Sequence, residues 1–85
     1  LWRLASLLDA GVSVALSTDA PFGDADPWAA MRAAVHRRAP SGGVLGSDER
    51  ISAATALALF TGDRPGVPQR IGPGARGDLC ILTAP

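Results

Sequence analysis

The sequence predicts an α/β protein, and three features support that prediction. The run Val12–Leu16 is short, rich in branched residues and almost free of polar ones, which is typical of a strand buried on both faces. Apolar residues at helical spacing precede this run, and Gly11 separates the two. The run leads to Asp19, and parallel α/β enzymes place catalytic and metal-binding groups where a buried strand emerges.

The first predicted helix covers residues 1–10, in which four leucines recur at helical spacing. Gly11 occupies the position of a left-handed helix cap, and the strand 12–16 follows it. A helix, a glycine and a buried strand make half of a βαβ unit, so this order favours the α/β class.

Residues 18–26 combine a proline, a glycine and three aspartates, which predicts a loop. Asp26 and Pro27 then form an N-cap followed by proline at the first helical position. A second helix should run from there to about Arg38, because apolar residues and alanines continue through this segment.

The remainder of the chain alternates between connections and regular elements. Residues 39–46 are rich in glycine and are expected to form an exposed connection. Ser52 can cap a third helix that ends near Gly62. The glycine and proline content of residues 63–77 predicts a linker, and residues 78–85 contain a strand-like apolar run.

Composition narrows the classes of partner and location. Eight arginines balance eight acidic residues, which argues against a nucleic-acid or anionic-membrane partner. No segment approaches the roughly 18 apolar residues that span a bilayer, and the first residues do not resemble a signal peptide, so we expect a soluble, cytoplasmic protein. At 85 residues a domain is marginal without disulfides or metal, so we expect a fragment of a longer protein.

Asp19 is the candidate catalytic and metal-binding residue. A carboxylate at this position could ligate a divalent metal and accept a proton from water that the metal activates. The alternative is a loop aspartate that bonds to nearby backbone amides. A calcium loop made of Asp19, Asp24 and Asp26 is disfavoured, because the spacing does not follow the EF-hand order and the terminal glutamate is absent.

Three further features favour structural roles. His36 lies near the end of the second predicted helix, without metal-ligand partners at suitable spacing, and is interpreted as a surface histidine. Cys80 sits in an apolar run and is predicted to be a small buried hydrophobe. The segment Gly72–Gly77 fails as a nucleotide-binding loop, since it follows no clear strand and opens no helix, and is expected to form tight turns.

The four aromatic residues are dispersed along the chain and are not interleaved with basic residues, which favours core anchors over a stacking platform. They are Trp2, Phe22, Trp28 and Phe60. Phe22 follows Asp19 closely enough to line a pocket.

Residues 11–21 resemble the last barrel strand of the amidohydrolase superfamily, nearest the branch of amidohydrolase family 3-like enzymes that includes N-substituted formamide deformylases. The similarity continues through residues 26–28 and 33–37 and through residues 49–52 and 56–57. It ends in residues 71–82, which look like the strand that returns to a small β-sandwich. Ser17-Thr18 replaces the Gly-Ser of the family, and Arg76 replaces a lysine.

The resemblance implies a fragment of a TIM (β/α)8 barrel, namely its last strand and flanking helices, plus a C-terminal strand of a small β-sandwich. Residues 1–62 would be the terminal barrel segment, residues 63–77 the linker and residues 78–85 the returning strand. Asp19 would be both metal ligand and general base, and the remaining ligands would lie in sequence outside this chain.

The implied reaction is hydrolysis of a non-peptide carbon–nitrogen bond in a small amide-type substrate, with zinc or another divalent metal in the full-length enzyme. The isolated fragment is expected to bind no metal tightly and to be inactive. The alternative is a noncatalytic interaction module that self-associates as a homo-oligomer, because a strand buried on both faces needs neighbouring strands.

Overall fold

The computed structural model describes residues 2–62 and 70–83 of the chain. In these two ranges the regular elements are helical, and the core lies where they meet. They are α1 (Leu4–Asp9), α2 (Pro27–His36), a 3₁₀ helix (Ser47–Glu49) and α3 (Ala53–Thr61).

Helix α2 begins and ends as its local sequence dictates. The Asp26 side chain accepts a hydrogen bond from the Trp28 amide at 2.9 Å, and Pro27 occupies the first turn, so the predicted N-cap is confirmed. The helix ends at His36, two residues before the expected Arg38, because Arg37 adopts a left-handed conformation with φ 51°.

Helices α1 and α3 also match their sequence signals. Ser52 accepts a hydrogen bond from the Thr55 amide at 3.0 Å, which confirms the predicted cap of α3, and this helix ends next to Gly62. Helix α1 is shorter than the predicted span of residues 1–10. Gly11 follows it with φ 75°, the left-handed conformation expected from its position.

The core is small and lies between α2 and α3, with α1 packed beside it. Ile51 joins the helices to the preceding segment, since its amide donates to the Ala34 carbonyl at 3.4 Å. The buried hydrophobic residues of the core are Leu4, Met31, Ala34, Ile51, Ala56 and Leu59.

The two predicted strands do not form within the described residues. Residues 12–18 alternate between exposed and half-buried side chains from Ser13 onward, and the Leu16 amide donates to the Leu59 carbonyl at 3.0 Å, but this segment pairs with no strand there. Residues 78–82 are likewise without regular structure, and the β-bridge found in the described part is an isolated one between Arg38 and Val44. A strand requires a neighbour for its backbone hydrogen bonds, and one or two extended segments do not supply a sheet.

The predicted burial of the aromatic residues and of the cysteine is largely wrong. Trp2 is 79% exposed, Phe22 is 92% exposed, and Trp28 is also exposed, whereas Phe60 packs against the core as expected. Cys80 is exposed because it lies in the tail 70–83, whose residues are all exposed. A chain of this size has little interior to offer large side chains.

The expected connection at residues 39–46 is exposed except for half-buried Ala39. Of the predicted linker at 63–77, residues 63–69 lie outside the described residues, and residues 70–77 are exposed. Within the part of the chain that the structure describes, no helix has the length and apolar character needed to cross a membrane.

Candidate active site

Asp19 lies at the start of an exposed turn that follows the extended segment 12–18. Its backbone is left-handed, with φ 56°, a conformation that aspartate tolerates better than most residues. The peptide bond that follows, between Ala20 and Pro21, is cis. Asp19 itself is exposed, so its carboxylate lies at the surface of the described structure and not in its core.

The backbone of Asp19 is held on both sides. Its amide donates to the Ser17 hydroxyl oxygen at 3.3 Å, and its carbonyl accepts from the Gly23 amide at 2.9 Å. The loop-aspartate interpretation requires a hydrogen bond from a nearby backbone amide to the Asp19 carboxylate. Among the described residues, no hydrogen bond involves the Asp19 side chain. The turn thus fixes the main chain and leaves the carboxylate open.

The neighbouring aspartates have structural roles. The Asp24 carboxylate accepts from the Asp26 amide at 3.0 Å, while Asp26 caps α2 and pairs with Arg32 at 3.2 Å. Both carboxylates are engaged in local hydrogen bonds that shape the loop before α2.

The side chains of the described residues meet the needs of a divalent cation only in part. The open carboxylate of Asp19 is a suitable oxygen ligand, because hard and borderline cations both accept carboxylate oxygens. Residues 2–62 and 70–83 contain no group of three or more His, Cys, Asp or Glu side chains that could hold a metal ion. Asp19 could therefore contribute to a metal site only together with ligands from outside the described residues.

His36 is the exposed last residue of α2, as predicted, and it does not join Asp19. It lines an open apolar groove of about 610 Å³ between α2 and α3, whose walls include Trp28 and Leu57. A second groove, of about 330 Å³, includes Leu16 among its lining residues. Asp19 lines neither of these two grooves.

The glycine-rich segment near the C-terminus forms the tight turn that the sequence predicts. The Ala75 amide donates to the Gly72 carbonyl at 3.0 Å, and Gly74 is left-handed with φ 80°. Arg76 and Asp78 form an exposed ion pair at 2.6 Å. These features are those of a surface turn and offer no phosphate-binding geometry.

The sequence reasoning missed the residues that hold Asp19 in place. Ser17 and Gly23 bracket it, and neither had been given a role in the site. The available signal was the spacing, because a glycine four residues after Asp19, across a proline, is typical of a closed turn.

Comparison with known proteins places this sequence in a family. Residues 2–85 match the amidohydrolase family. The chain is 41% identical over 61 residues to N-substituted formamide deformylase from Arthrobacter pascens, a match that covers 72% of this chain and 11% of that protein. No solved structure matches the chain. The chain belongs to the amidohydrolase family.

Proposed function

We propose that this chain is the C-terminal portion of a metal-dependent amidohydrolase that hydrolyses a non-peptide carbon–nitrogen bond, and that it is inactive in isolation. The observation that supports this proposal most directly is that the Asp19 carboxylate is exposed and has no hydrogen-bond partner among the described residues. The family match over residues 2–85 and the similarity to a deformylase support a hydrolytic role for the complete protein.

Asp19 would act as ligand and as general base. The amidohydrolase family generally uses divalent metals, and such an ion, when bound, supplies Lewis-acid activation of water and of the scissile carbonyl. The Asp19 carboxylate would accept the proton of the attacking water and pass it to the leaving nitrogen. The two main-chain hydrogen bonds at Asp19 would hold the backbone from which this carboxylate projects, which limits the positions that the carboxylate can take during both transfers.

The substrate class follows from the deformylase relative. An N-substituted formamide is the first compound to test, and formate release is its direct readout. Inactivity of the isolated chain would follow from its missing ligands, since the described residues contain no group of three or more His, Cys, Asp or Glu side chains that could hold a metal ion. We further propose the boundaries 1–62, 63–77 and 78–85 for a barrel segment, a linker and a strand of the β-sandwich, within the TIM-barrel-type fold that family membership implies.

The test is Asp19→Asn in the complete protein, measured as formate release from an N-substituted formamide. Loss of general-base catalysis should lower turnover by about 10²- to 10⁴-fold. Asp24→Asn is the matched control, because it changes a nearby carboxylate that serves a local turn and keeps an oxygen acceptor for the Asp26 amide. Near-normal turnover of Asp19→Asn would overturn the assignment.

A second candidate function is a noncatalytic module that self-associates, favoured by the apolar surface that the chain exposes. Trp2, Phe22 and Ile81 are each more than three-quarters exposed, and the segment 12–16 carries backbone groups without a strand partner among the described residues. Such surfaces promote pairing between copies. Light scattering on the 85-residue chain decides this point, since a monodisperse monomer would contradict self-association.

A further inference from the structure

The turn that carries Asp19 is closed by a main-chain hydrogen bond and leaves no room for a side chain at Gly23. The Gly23 amide donates to the Asp19 carbonyl at 2.9 Å, which brings residue 23 back against residue 18. A Cβ atom on Gly23 would overlap the Thr18 carbonyl oxygen, and it would also lie 3.4 Å from the Thr18 carbonyl carbon. The crowding atoms belong to the backbone, so a change of rotamer does not relieve the overlap.

The requirement for glycine is one of space and not of conformation. The φ angle of Gly23 lies outside the left-handed region, so alanine could adopt the same backbone there. The overlap therefore has to be relieved by opening the turn, and Asp19 is the first of the four residues between the two clashing groups. The Cβ atom of Asp19 is itself only 3.7 Å from the position that a Gly23 side chain would take.

Ser17 restrains Asp19 from the other side. Its hydroxyl oxygen accepts a hydrogen bond from the Asp19 amide at 3.3 Å. Without that acceptor, the Asp19 amide would rely on water, and the turn would have one restraint instead of two.

We infer that Gly23 and Ser17 are positioning residues for the Asp19 carboxylate, with Gly23 as the main one. This inference rests on the proposed function, since the position of the Asp19 carboxylate matters for turnover only if that carboxylate binds metal and accepts a proton. Neither residue touches substrate or metal in this scheme. They act by fixing where the carboxylate stands.

The decisive variant is Gly23→Ala in the complete protein. Misplacing a catalytic group by about 1 Å can cost roughly 100-fold in rate, so kcat should fall by about that factor while KM changes little. Zn²⁺ affinity, measured by competition with a chromogenic chelator, should fall by about 10- to 100-fold, the range found when groups that orient a ligand are removed. The melting temperature should be unchanged, since the turn is exposed.

Gly72→Ala and Gly77→Ala are the matched controls. A Cβ at either position meets no atom within 4 Å, and neither glycine is left-handed, so both variants should keep kcat and Zn²⁺ affinity. Ser17→Ala is the second test variant and should lower both quantities in the same direction but less strongly. It decides the matter if Gly23→Ala fails to fold.

The outcomes separate the two proposals. If Asp19→Asn keeps its turnover, the proposed function fails, whatever the glycine variants do. If Asp19→Asn loses turnover while Gly23→Ala and Ser17→Ala retain both kcat and Zn²⁺ affinity, the positioning role alone is overturned. A joint loss of kcat and Zn²⁺ affinity in Gly23→Ala, with both control glycines unaffected, supports the inference.

Discussion

The carboxylate of Glu49 holds the first turn of α1 at Ser6, although 43 residues separate the two along the chain. The Ser6 amide donates to Glu49 at 2.9 Å, the Ser6 hydroxyl donates to the same carboxylate, and Arg3 approaches it at 3.4 Å. Helix α1 has no side-chain cap at its own N-terminus. Glu49 therefore satisfies a free amide of the first turn and places a negative charge at the positive end of the helix.

The Ser6–Glu49 contact predicts a pH dependence of folding. The Ser6 hydroxyl is the largest cause that lowers the pKa of Glu49 below its ordinary value of 4.5, followed by the Ser6 amide, while desolvation opposes them and Arg3 adds a smaller effect. A carboxylate with a lowered folded-state pKa stabilises the fold above its unfolded pKa, and this stabilisation is lost as pH falls through the folded value. The stabilisation by Glu49 is thus fully present above about pH 4.5 and is lost as the pH falls further.

Glu49→Gln should lower the free energy of unfolding at neutral pH. In this variant the free energy of unfolding should also decline less steeply as the pH falls below 4.5. Urea unfolding at a series of pH values measures both effects. Asp48→Asn is the control, because Asp48 lies on the same 3₁₀ helix and has an exposed side chain. Equal acid sensitivity of Glu49→Gln and the unmodified chain would contradict the contact.

The Ser52 cap predicts a measurable loss of stability. Ser52→Ala removes the acceptor of the Thr55 amide and should cost about 1 kcal/mol of unfolding free energy. Ser41→Ala, in the exposed connection before the 3₁₀ helix, is expected to have little effect. Thermal unfolding followed by circular dichroism compares the two, and equal melting temperatures would argue against the cap.

Truncation of two leucines on α3 is predicted to destabilise the fold to different extents. Leu59 is 7% exposed, so Leu59→Ala should cost about 2–5 kcal/mol through lost burial and the remaining cavity. Leu57, on the same helix, is 41% exposed, and Leu57→Ala should cost clearly less. Urea unfolding of the two variants measures the difference, and a reversed order would mean that α3 buries its other face.

The exposure of Cys80 predicts a reactive thiol. Ellman's reagent should label Cys80 in the folded chain nearly as fast as in urea, because its side chain lies in the exposed tail. Protection of the thiol under native conditions would instead support the burial that the apolar sequence around Cys80 indicates.

The helices could be predicted because their signals are local. Asp26 and Ser52 cap amides only two or three residues away, so the caps that the sequence indicates are the caps that form. Gly11 behaves in the same way, since its left-handed conformation depends on its own lack of a side chain. The family resemblance was also drawn from the sequence alone and is confirmed by the comparison, whereas the catalytic and metal-binding role of Asp19 stays a prediction.

The tertiary structure decided what depends on distant partners. The run Val12–Leu16 has strand character, but a strand exists only when another strand accepts its hydrogen bonds. Among the described residues, the Val12 amide donates to the Leu7 carbonyl and the Leu16 amide to the Leu59 carbonyl, and both acceptors belong to helices. The capping of α1 by Glu49 and the closure of the Asp19 turn by Gly23 are likewise contacts in space. The sequence by itself determined the helices and the chemistry of the candidate residue, because those are set within a few residues, whereas burial and the position of the carboxylate depend on which segments meet.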